Sequence, residues 1–408
     1  MTIWAQTSLN DLGYVGRGKS KHRPRDAEHL YGGPYPFIQT GDVKHAELYV
    51  TTFSQTYSEA GLAQSKLWSA GTVCITIAAN IAETAILGID ACFPDSVIGF
   101  VADESKSDAR FIKYMMDTIK RNYQQVAQGA AQDNLSLEKL LSFKLRVPNA
   151  EAQRAIASIL SSYDDLIENN RRRMALLEES ARLLYREWFV RLRFPGHEHT
   201  RVVNGVPEGW CKVTLGELAT KIGSGVTPRG GDASYLTEGV PLIRSMNIYD
   251  DSFDSDGLAF ISEEQAVRMS NVTVQSRDIL INITGASVAR CCMAPERFVP
   301  ARVNQHVMII RVDPSIASSC FVHAAINSEE RKRQLLSYAQ KGSTREALTK
   351  EIISTFEITL PSPELVAHFG EIAECSFLQR ETLAFQNQKL RTARDLLLPK
   401  LMSGEIEV

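Results

Sequence analysis

The most enzyme-like pattern in the chain lies near its start, where Gly13, Gly18, Lys19 and Ser20 fit the phosphate-binding loop G-x-x-x-x-G-K-[ST]. In such a loop, backbone amides and the positive end of the next helix hold phosphates, so a buried strand must precede it and a helix must follow. The preceding SLNDLG is no buried strand, and the following KHRP is no helix start. We therefore interpret this basic run as a DNA phosphate contact, or else as a solvated loop.

A second pattern resembles a magnesium nuclease. Asp95 follows Pro94, and Glu104-Ser105-Lys106 comes nine positions later, which fits the arrangement PD…(D/E)xK. In that chemistry two carboxylates hold Mg²⁺ and the lysine assists the attacking water. The motif is short and frequent, so the nuclease is kept only as an alternative.

Composition and cysteine spacing exclude several other kinds of site. The seven cysteines form no Cys-x-x-Cys pair, and His197 and His199 flank Glu198 beside a Pro-Gly turn, so no metal site is predicted. The chain also lacks an Asn/Asp-Pro-Pro-Tyr/Phe tetrapeptide and a convincing glycine-rich methyl-donor loop. With no apolar run of membrane length and no signal-like N-terminus, we expect a cytoplasmic protein without a membrane segment. The net charge of −3 leaves room for local basic patches.

The chain repeats itself with a period of about two hundred residues. Gly129 and Gly342, Phe143 and Phe356, and Pro148 and Pro361 are each separated by 213 positions. Upstream the offset is 205 to 206: PFI at 36–38 matches PLI at 241–243, and TVCI at 72–75 matches DILI at 278–281. Such a long period indicates a duplicated domain rather than a solenoid. Each copy has β-branched, strand-like segments and then one long helix.

The first long helix follows Asn149, a plausible N-cap, and the chain contains no Pro or Gly from there until Pro195. Its apolar residues step in fours and threes, which is typical of a coiled-coil seam. At ~1.5 Å per residue it is about 60 Å long. A lone polar residue in the seam fixes register at a cost in stability. The seam consists of Ile156, Leu160, Tyr163, Ile167, Asn170, Met174, Leu177, Ala181, Leu184 and Trp188.

The second long helix is predicted from Ser362 as N-cap, with Pro363 in its first turn, to Pro399. Its apolar seam is weaker than that of the first helix, because the seam residues recur only every seven positions, with Ile372 as one additional apolar residue. We expect the two helices to pair antiparallel and act as a spacer, although each could instead pack only on its own domain. The seam consists of Phe369, Ile372, Ser376, Leu383, Leu390 and Leu397.

Several stretches resemble the specificity subunits of type I restriction–modification systems. PNAEAQRAIASI from Pro148, the following IENNRRRMALLEESARLLYREWFVRLRFPG, and PEGW from Pro207 are similar to the central conserved region of that family. LLLPKLMSGEIEV is similar to the family's C-terminal end. GRGKSKHRPRD, GGPYPFIQTGDV, AANIAETAIL and FPDSVIGF resemble one type of recognition domain; SGVTPRGGDASY, GVPLIRSMNI, NITGASVAR and RVNQHVMIIR resemble another.

The resemblance implies a DNA-binding, non-catalytic subunit. Each domain would read one half of a split double-stranded DNA target, and the helices would set the gap and dock two adenine-methylating modification subunits. Restriction (translocase–endonuclease) subunits would join afterwards. This chain would bind no cofactor itself, with S-adenosylmethionine, ATP and Mg²⁺ on the partners. The alternatives are the nuclease and a coiled-coil adaptor that binds only protein.

The predicted fold is α+β, with two similar target-recognition domains separated by two long helices in an antiparallel coiled coil, and a pseudo-two-fold internal repeat. The expected segments are a first recognition domain (1–148), a central conserved helix and linker (149–206), a second recognition domain (207–361) and a C-terminal conserved helix and tail (362–408).

Base edges are read best by Arg, Lys, Asn, Gln and Thr side chains presented from loops. For each single candidate, a turn-stabilising or exposed polar role is the alternative. In the first domain, Arg17, Lys19, Lys21 and Arg23 are expected to contact phosphates, and the candidate base readers are Gln39, Thr40, Asn80, Gln128 and Gln132. In the second domain the candidates are Arg229, Arg244, Asn247, Thr284, Ser287, Asn304, Gln305, Lys341, Ser343, Thr344 and Arg345.

Overall fold

The computed structural model describes residues 4–78, 81–128, 136–341 and 347–408. The chain forms two compact units. The first contains Met1–Asn170 and Gln386–Val408, and the second contains Arg171–Phe385. Each unit therefore includes one part of each long helix.

The described residues of the first unit form eleven short strands and five short or medium helices before the first long helix. The strands are β1 (Ala5–Thr7), β2 (Gly13–Arg17), β3 (Tyr31–Phe37), β4 (Tyr49–Val50), β5 (Gln55–Tyr57), β6 (Leu67–Trp68), β7 (Val73–Thr76), β8 (Thr84–Leu87), β9 (Ala91–Cys92), β10 (Val97–Ala102) and β11 (Leu145–Val147). The helices are α1 (Leu9–Leu12), α2 (Thr40–His45), α3 (Glu59–Ala63), α4 (Ala109–Gln128), α5 (Leu137–Ser142) and the long α6 (Ala150–Tyr185).

The second unit repeats most of these elements and has additional short strands. Its strands are β12 (Val202–Val203), β13 (Val206–Pro207), β14 (Cys211–Thr214), β15 (Ala219–Ser224), β16 (Val240–Ile243), β17 (Ile248–Tyr249), β18 (Ser252–Phe253), β19 (Ala259–Ile261), β20 (Thr273–Val274), β21 (Ile279–Asn282), β22 (Cys291–Met293), β23 (Ala301–Val303), β24 (Val307–Val312) and β25 (Glu357–Leu360). Its helices are α7 (Leu215–Leu218), α8 (Glu263–Arg268), α9 (Ser319–Asn327), α10 (Glu329–Lys341), α11 (Lys350–Ser354) and the long α12 (Pro363–Ser403).

Strand order shows that the two units are copies of one fold. The first has sheets ordered β2-β10-β7-β8-β4 and β5-β3-β9-β6, and the second has β15-β24-β21-β22 and β19-β16-β23-β20. Each unit also has a two-stranded sheet that joins an early strand to the strand before the long helix, β1 with β11 and β14 with β25. The second unit has in addition the two-stranded sheets β12–β13 and β17–β18. The predicted anchors lie in equivalent strands, 36–38 against 241–243 and 72–75 against 278–281. The α+β fold with an internal repeat is therefore confirmed.

Burial on both faces explains the continuous apolar strands. All four residues of β7 and of β21 are buried. In the first unit, α4 packs on β7 and β8 from one side, and Phe111 and Met116 of α4 join the same apolar core as Ile75 and Ile86. Period-two alternation holds in β11, where Leu145 and Val147 are buried and Arg146 is exposed.

The caps of the long helices follow the sequence. The Asn149 side chain accepts a hydrogen bond from the Ala152 amide at 2.9 Å, and Ser362 precedes Pro363, the first residue of α12. The predicted end at Pro399 is wrong, because α12 continues to Ser403. Leu401 and Met402 are buried in the core of the first unit, and this packing holds the last turn despite the hydrogen bond that proline cannot donate.

Candidate nucleic-acid interface

In the first unit, three connecting segments meet at one end of the sheets. The Gly18 amide donates to the Val97 carbonyl at 2.9 Å, and the Lys19 amide donates to the Phe93 carbonyl at 3.1 Å. The Ile38 amide donates to the Cys92 carbonyl at 2.8 Å. The segments after β2 and β3 therefore lie beside the turn that joins β9 to β10.

The second unit builds the same arrangement. The Gly225 amide donates to the Val307 carbonyl at 2.9 Å, and the Asn304 amide donates to the Ile243 carbonyl at 3.1 Å. The Ile283 amide donates to the carbonyl of His306 at 2.9 Å, which adds the segment between β21 and β22. We call these two loop clusters the reading edges, since they gather most of the described base-reading candidates.

A glycine at the same place in each copy permits this convergence. A Cβ at Gly18 would lie 2.2 Å from the Pro94 carbonyl oxygen, and one at Gly225 would lie 2.1 Å from the Val303 carbonyl oxygen. Both distances are far below van der Waals contact, so the two segments approach their neighbours only without a side chain. The equivalence of the two glycines is a repeat signal that the sequence comparison missed.

The basic run of the first unit passes through its reading edge, where the Lys19 amide binds the Phe93 carbonyl, and continues to Arg23. Lys19 and Lys21 are exposed, and Arg23 donates to the Ser20 and His22 carbonyls at 2.8 Å. Arg17 donates to the Asp95 carbonyl. An exposed basic segment of this kind suits phosphate contacts.

The phosphate-binding loop interpretation does not fit this geometry. Residues 13 to 17 form strand β2 instead of a loop, and the amides of Gly18 and Lys19 already donate to carbonyl groups. A phosphate would find neither the open amides nor the helix that the motif requires.

Among the remaining candidates of the first unit, Gln39 and Thr40 lie on the reading edge at the start of α2. The Gln39 side chain donates to Gln55 Oε1 at 2.6 Å, and its amide donates to Asp42 Oδ2 at 2.8 Å. Gln128 is the last residue of α4, but its side chain lies outside the description. Asn80 and Gln132 lie outside the described residues.

Two arginines of the second unit follow segments of its reading edge in the chain, Arg229 after Gly225 and Arg244 directly after Ile243. Arg229 is exposed, and its carbonyl accepts from Gln265 Nε2 at 3.0 Å. Arg244 donates to the Gly257 carbonyl at 2.6 Å, and its guanidinium carbon lies 5.1 Å from the ring centroid of Tyr235. This stacking orients the planar donor group.

A second group of polar side chains lies around His306, which the sequence analysis missed. Thr284 Oγ1 is 2.7 Å from His306 Nδ1, and Gln305 Nε2 is 3.0 Å from His306 Nε2. Ser287 Oγ accepts from Asn282 Nδ2 at 3.1 Å. The signal for His306 was its place directly after Asn304-Gln305, in the turn that joins two apolar strands.

The structure contradicts two of the base-reading candidates. Asn247 is fully buried: its Oδ1 accepts from the Arg244 amide at 3.1 Å and its Nδ2 donates to the Asp254 carbonyl at 3.0 Å. Asn304 is also buried, and its Oδ1 accepts from the His306 amide at 3.2 Å. Both carboxamides stabilise local turns, as short polar side chains often do.

The last four candidates of the second domain cannot be placed in the same way. The described residues do not include Ser343, Thr344 and Arg345, and the side chain of Lys341 is also outside the description.

The nuclease pattern does not form a site. Asp95 precedes the six-residue strand β10 and Glu104 follows it, so the two carboxylates are separated by about 20 Å of extended chain. Two oxygens on one Mg²⁺ lie within roughly 4 Å of each other. Asp95 instead binds Arg25 at 3.0 Å, and Lys106 binds Asp103 at 3.1 Å. Across the described residues, no group of three or more His, Cys, Asp or Glu side chains is arranged to hold a metal ion.

Within each unit the long helices run antiparallel. In the first unit Asn170 of α6 binds Asn387 of α12 at 2.9 Å, and Asp164 binds Arg394. In the second unit the rings of Tyr185 and Phe369 are 5.9 Å apart.

The predicted seam of the first long helix is buried or half-buried at every position, although α6 ends at Tyr185 and Trp188 lies in the π-helical turn Arg186–Val190 that follows it. On α12, Phe369 and Leu383 are buried, and Ser376, Leu390 and Leu397 are half-buried. Ile372 is a wrong assignment: it is 39% exposed, and the neighbouring Ala373 occupies the buried position.

Three polar residues spaced by sevens, Arg380, Asn387 and Arg394, fill alternate seam positions of α12. The sequence analysis missed them because it searched for apolar residues. Their partners on α6 are Glu178, Asn170 and Asp164. The seam of α12 therefore alternates apolar with polar residues, which is why it looked weak as an apolar seam.

Burial shifts the pKa values of several groups that pack near the long helices. It raises the pKa of the Tyr114 hydroxyl, which donates to Asp164 at 2.5 Å. Burial also raises the pKa of Glu178, although Arg380 opposes this effect. The pKa of His323 is lowered by burial, with Asp251 acting against the shift.

Within the described part of the chain, no helix is both long and apolar enough to cross a bilayer.

Comparison with known proteins identifies related chains. Residues 1–179 and 207–368 match the model of the type I restriction modification DNA specificity domain. The type I restriction enzyme MjaIX specificity subunit of Methanocaldococcus jannaschii is 23% identical over 415 residues, which cover 99% of this chain and 94% of that protein. The HindI specificity subunit of Haemophilus influenzae is 23% identical over 332 residues, 67% of this chain and 71% of that protein.

Among solved structures, the fold resembles the S subunit of a type I restriction–modification system from M. genitalium. The TM-score is 0.62 at 16% identity, and the match covers 98% of this chain and 96% of that one. At this identity the similarity concerns the fold.

Proposed function

Because this chain belongs to the family of type I restriction–modification DNA specificity proteins, we propose that it is the non-catalytic subunit that selects the DNA sequence on which such a system acts. Each unit reads one half of a bipartite double-stranded target through its reading edge. The observation that carries this proposal is the repetition of one fold, with the same glycine-dependent loop convergence in both copies. Two copies of one reading device suit a target with two specified halves.

The reading edges offer suitable chemistry. Exposed Lys19 and Lys21 supply phosphate contacts, while Arg229 and Gln305 are exposed donors of the types that read base edges. A fully buried residue such as Asn247 acts behind this surface and orients the backbone of Arg244.

The long helices hold the partners. In this proposal the helices set the gap between the two halves of the target. Two adenine-methylating modification subunits dock on the helices, and restriction subunits join afterwards. Leu166, Leu176 and Leu183 support this assignment, since they expose apolar surface on α6 outside its seam. S-adenosylmethionine, ATP and Mg²⁺ belong to the partner subunits.

The test is long-read detection of methylated adenines in cells that carry this chain with its modification subunit, compared with cells that lack only this chain. The expected result is a new motif of two short specified halves around a fixed gap. Absence of new methylation, with the assembled complex demonstrated by co-purification, would overturn the proposal and return attention to a protein-only adaptor.

A further inference from the structure

An acidic residue of the first unit links the segment after β3 to the long helices. This segment starts at the reading edge with Gln39 and Thr40, forms α2, and reaches Glu47 two residues after the helix ends. Glu47 Oε1 accepts from Arg391 Nη2 at 3.1 Å, and its Oε2 lies 3.7 Å from Arg394 Nη1. The far end of the segment is therefore tied to α12.

One of the two arginines near Glu47, Arg394, is itself held in place by other residues. Arg394 binds Asp164 of α6, whose side chain is only 2% exposed. Asp164 also accepts from the Tyr114 hydroxyl of α4 at 2.5 Å. Glu47 is thus tied to α12 by Arg391, whose side chain is 37% exposed, and it lies beside a buried polar cluster that joins three helices.

The second unit has a corresponding link. The segment that starts at the reading edge with Arg244 continues into the hairpin β17–β18, and Asp251 lies in its turn. Asp251 Oδ2 lies 3.4 Å from Arg182 of α6, and its Oδ1 accepts from Asn327 Nδ2 at 2.8 Å. Its backbone carbonyl accepts from Arg380 of α12.

The central side chains of this second cluster are also largely buried. Arg380 binds Glu178 of α6 at 3.0 Å, and the side chains of Arg380 and Asp251 are 15% and 17% exposed. The helix α9 adds His323, 3.6 Å from Asp251 Oδ1, so a helix that precedes α12 contributes to this cluster, as α4 contributes Tyr114 to the cluster of the first unit. The two copies therefore repeat the connection with different side chains.

We propose that Glu47 and Asp251 are positioning residues for sequence reading: each fixes the far end of its reading segment against the long helices. This inference rests on the proposed function. Neither carboxylate has to touch DNA for this role. Glu47 holds the backbone that presents Gln39 and Thr40, and Asp251 holds the backbone that presents Arg244. A small displacement of one of these presented side chains is enough to weaken a base contact.

The bipartite target supplies an internal control for the test. The complex of this chain with its modification subunit is titrated with duplexes that carry the motif found by methylation mapping, or the motif with one base changed in either half. Glu47→Gln should lower discrimination by roughly 5- to 100-fold, the equivalent of about one base contact, in one half only. Asp251→Asn should do the same in the other half.

The choice of substitutions keeps the folded state intact. Asparagine tolerates the positive φ of 59° at position 251, and Glu151→Gln removes an exposed carboxylate of α6 as a matched control without an expected effect. A general loss of stability would weaken both halves alike.

The outcomes separate the two proposals. Equal loss in both halves, or no loss with either variant, would overturn the positioning role. Absence of sequence-specific binding by the unaltered complex would instead contradict the proposed function. A loss of discrimination confined to the half-site read by the altered unit supports both the positioning role and the proposed function.

Discussion

The carboxamides of Asn170 and Asn387 face each other across the two long helices, with Asn170 Nδ2 2.9 Å from Asn387 Oδ1. Both are buried, and Asn387 Nδ2 also donates to the Ile167 carbonyl at 3.3 Å. A polar pair in a mainly apolar seam can be satisfied in only one register, so it favours that register over others.

Replacing one member of this pair should cost more than replacing both. Asn387→Leu leaves the Asn170 carboxamide buried without its partner, and we expect a loss of about 1–3 kcal/mol in the free energy of unfolding. The double variant with Asn170→Leu should lose less than the sum of the single changes, by about 1 kcal/mol. Urea unfolding of all four proteins measures this coupling. Strict additivity would show that the two residues do not interact.

The exposed face of α12 should tolerate changes that its seam does not. Leu383→Ala removes a buried side chain and should cost about 2–5 kcal/mol. Ile372→Ala and Leu396→Ala remove exposed side chains and should change stability by about 0.5 kcal/mol or less. Thermal unfolding of the three variants tests the corrected seam. A large loss at Ile372 would restore the original assignment.

The repeat, the strands and both helix starts were predictable because they depend on local patterns: apolar periodicity, Asn149 as a cap, and Pro363 in a first turn. Ile372 was not, because an isoleucine next to an alanine does not reveal which of the two faces the partner helix. The end of α12 was missed because burial of Leu401 outweighs the local effect of Pro399.

The reading edges were predictable in kind but not in detail. Residue type marks Asn247 and Gln305 equally as hydrogen-bonding side chains. Only the fold shows that Asn247 already binds the Arg244 amide while Gln305 is exposed. The ion pairs of Glu47 and Asp251 join residues more than sixty positions apart, which no local pattern records.

The close approach at Gly18 predicts a specific intolerance. Gly18→Ala places a Cβ 2.2 Å from the Pro94 carbonyl oxygen, so we expect a loss of about 1–3 kcal/mol or more. Gly41→Ala is the control, since no atom lies within 4 Å of its Cβ, and alanine in α2 should be neutral or stabilising by up to about 1 kcal/mol. Chemical denaturation compares the two. Similar stabilities would contradict the steric argument.

Stability should fall as the pH is lowered through the range in which histidine titrates. Burial lowers the pKa of His323 below its ordinary 6.5, against the opposing charge of Asp251 and with Arg380 and Lys332 nearby. The unfolded chain therefore binds this proton more readily, so the free energy of unfolding is highest above pH 6.5 and declines below it, by at most about 1.4 kcal/mol per pH unit.

The carboxyl of Glu178 acts in the opposite sense, because burial raises its pKa above the ordinary 4.5 and favours the folded state at low pH. The comparison with His323→Gln isolates the histidine, since glutamine can still accept the hydrogen bond from Asn327. The variant should lose less stability than the original protein between pH 7 and pH 5. Parallel unfolding curves would exclude His323 as the source.

Lys21 and Gln305 should separate affinity from specificity. Lys21 is exposed in the basic run, and Lys21→Ala should weaken binding to all sequences alike and reduce the salt dependence by about one counterion. Gln305 is exposed on the second reading edge, and Gln305→Ala should relax one base position in one half at a cost of about 1–3 kcal/mol. Its buried neighbour provides the contrast, because Asn304→Ala should lower the free energy of unfolding through the lost turn instead.

Binding of the assembled complex to single-base variants of the target at several salt concentrations distinguishes these three variants. A change of base preference with Lys21→Ala, at an unchanged salt slope, would show that the basic run reads bases rather than phosphates.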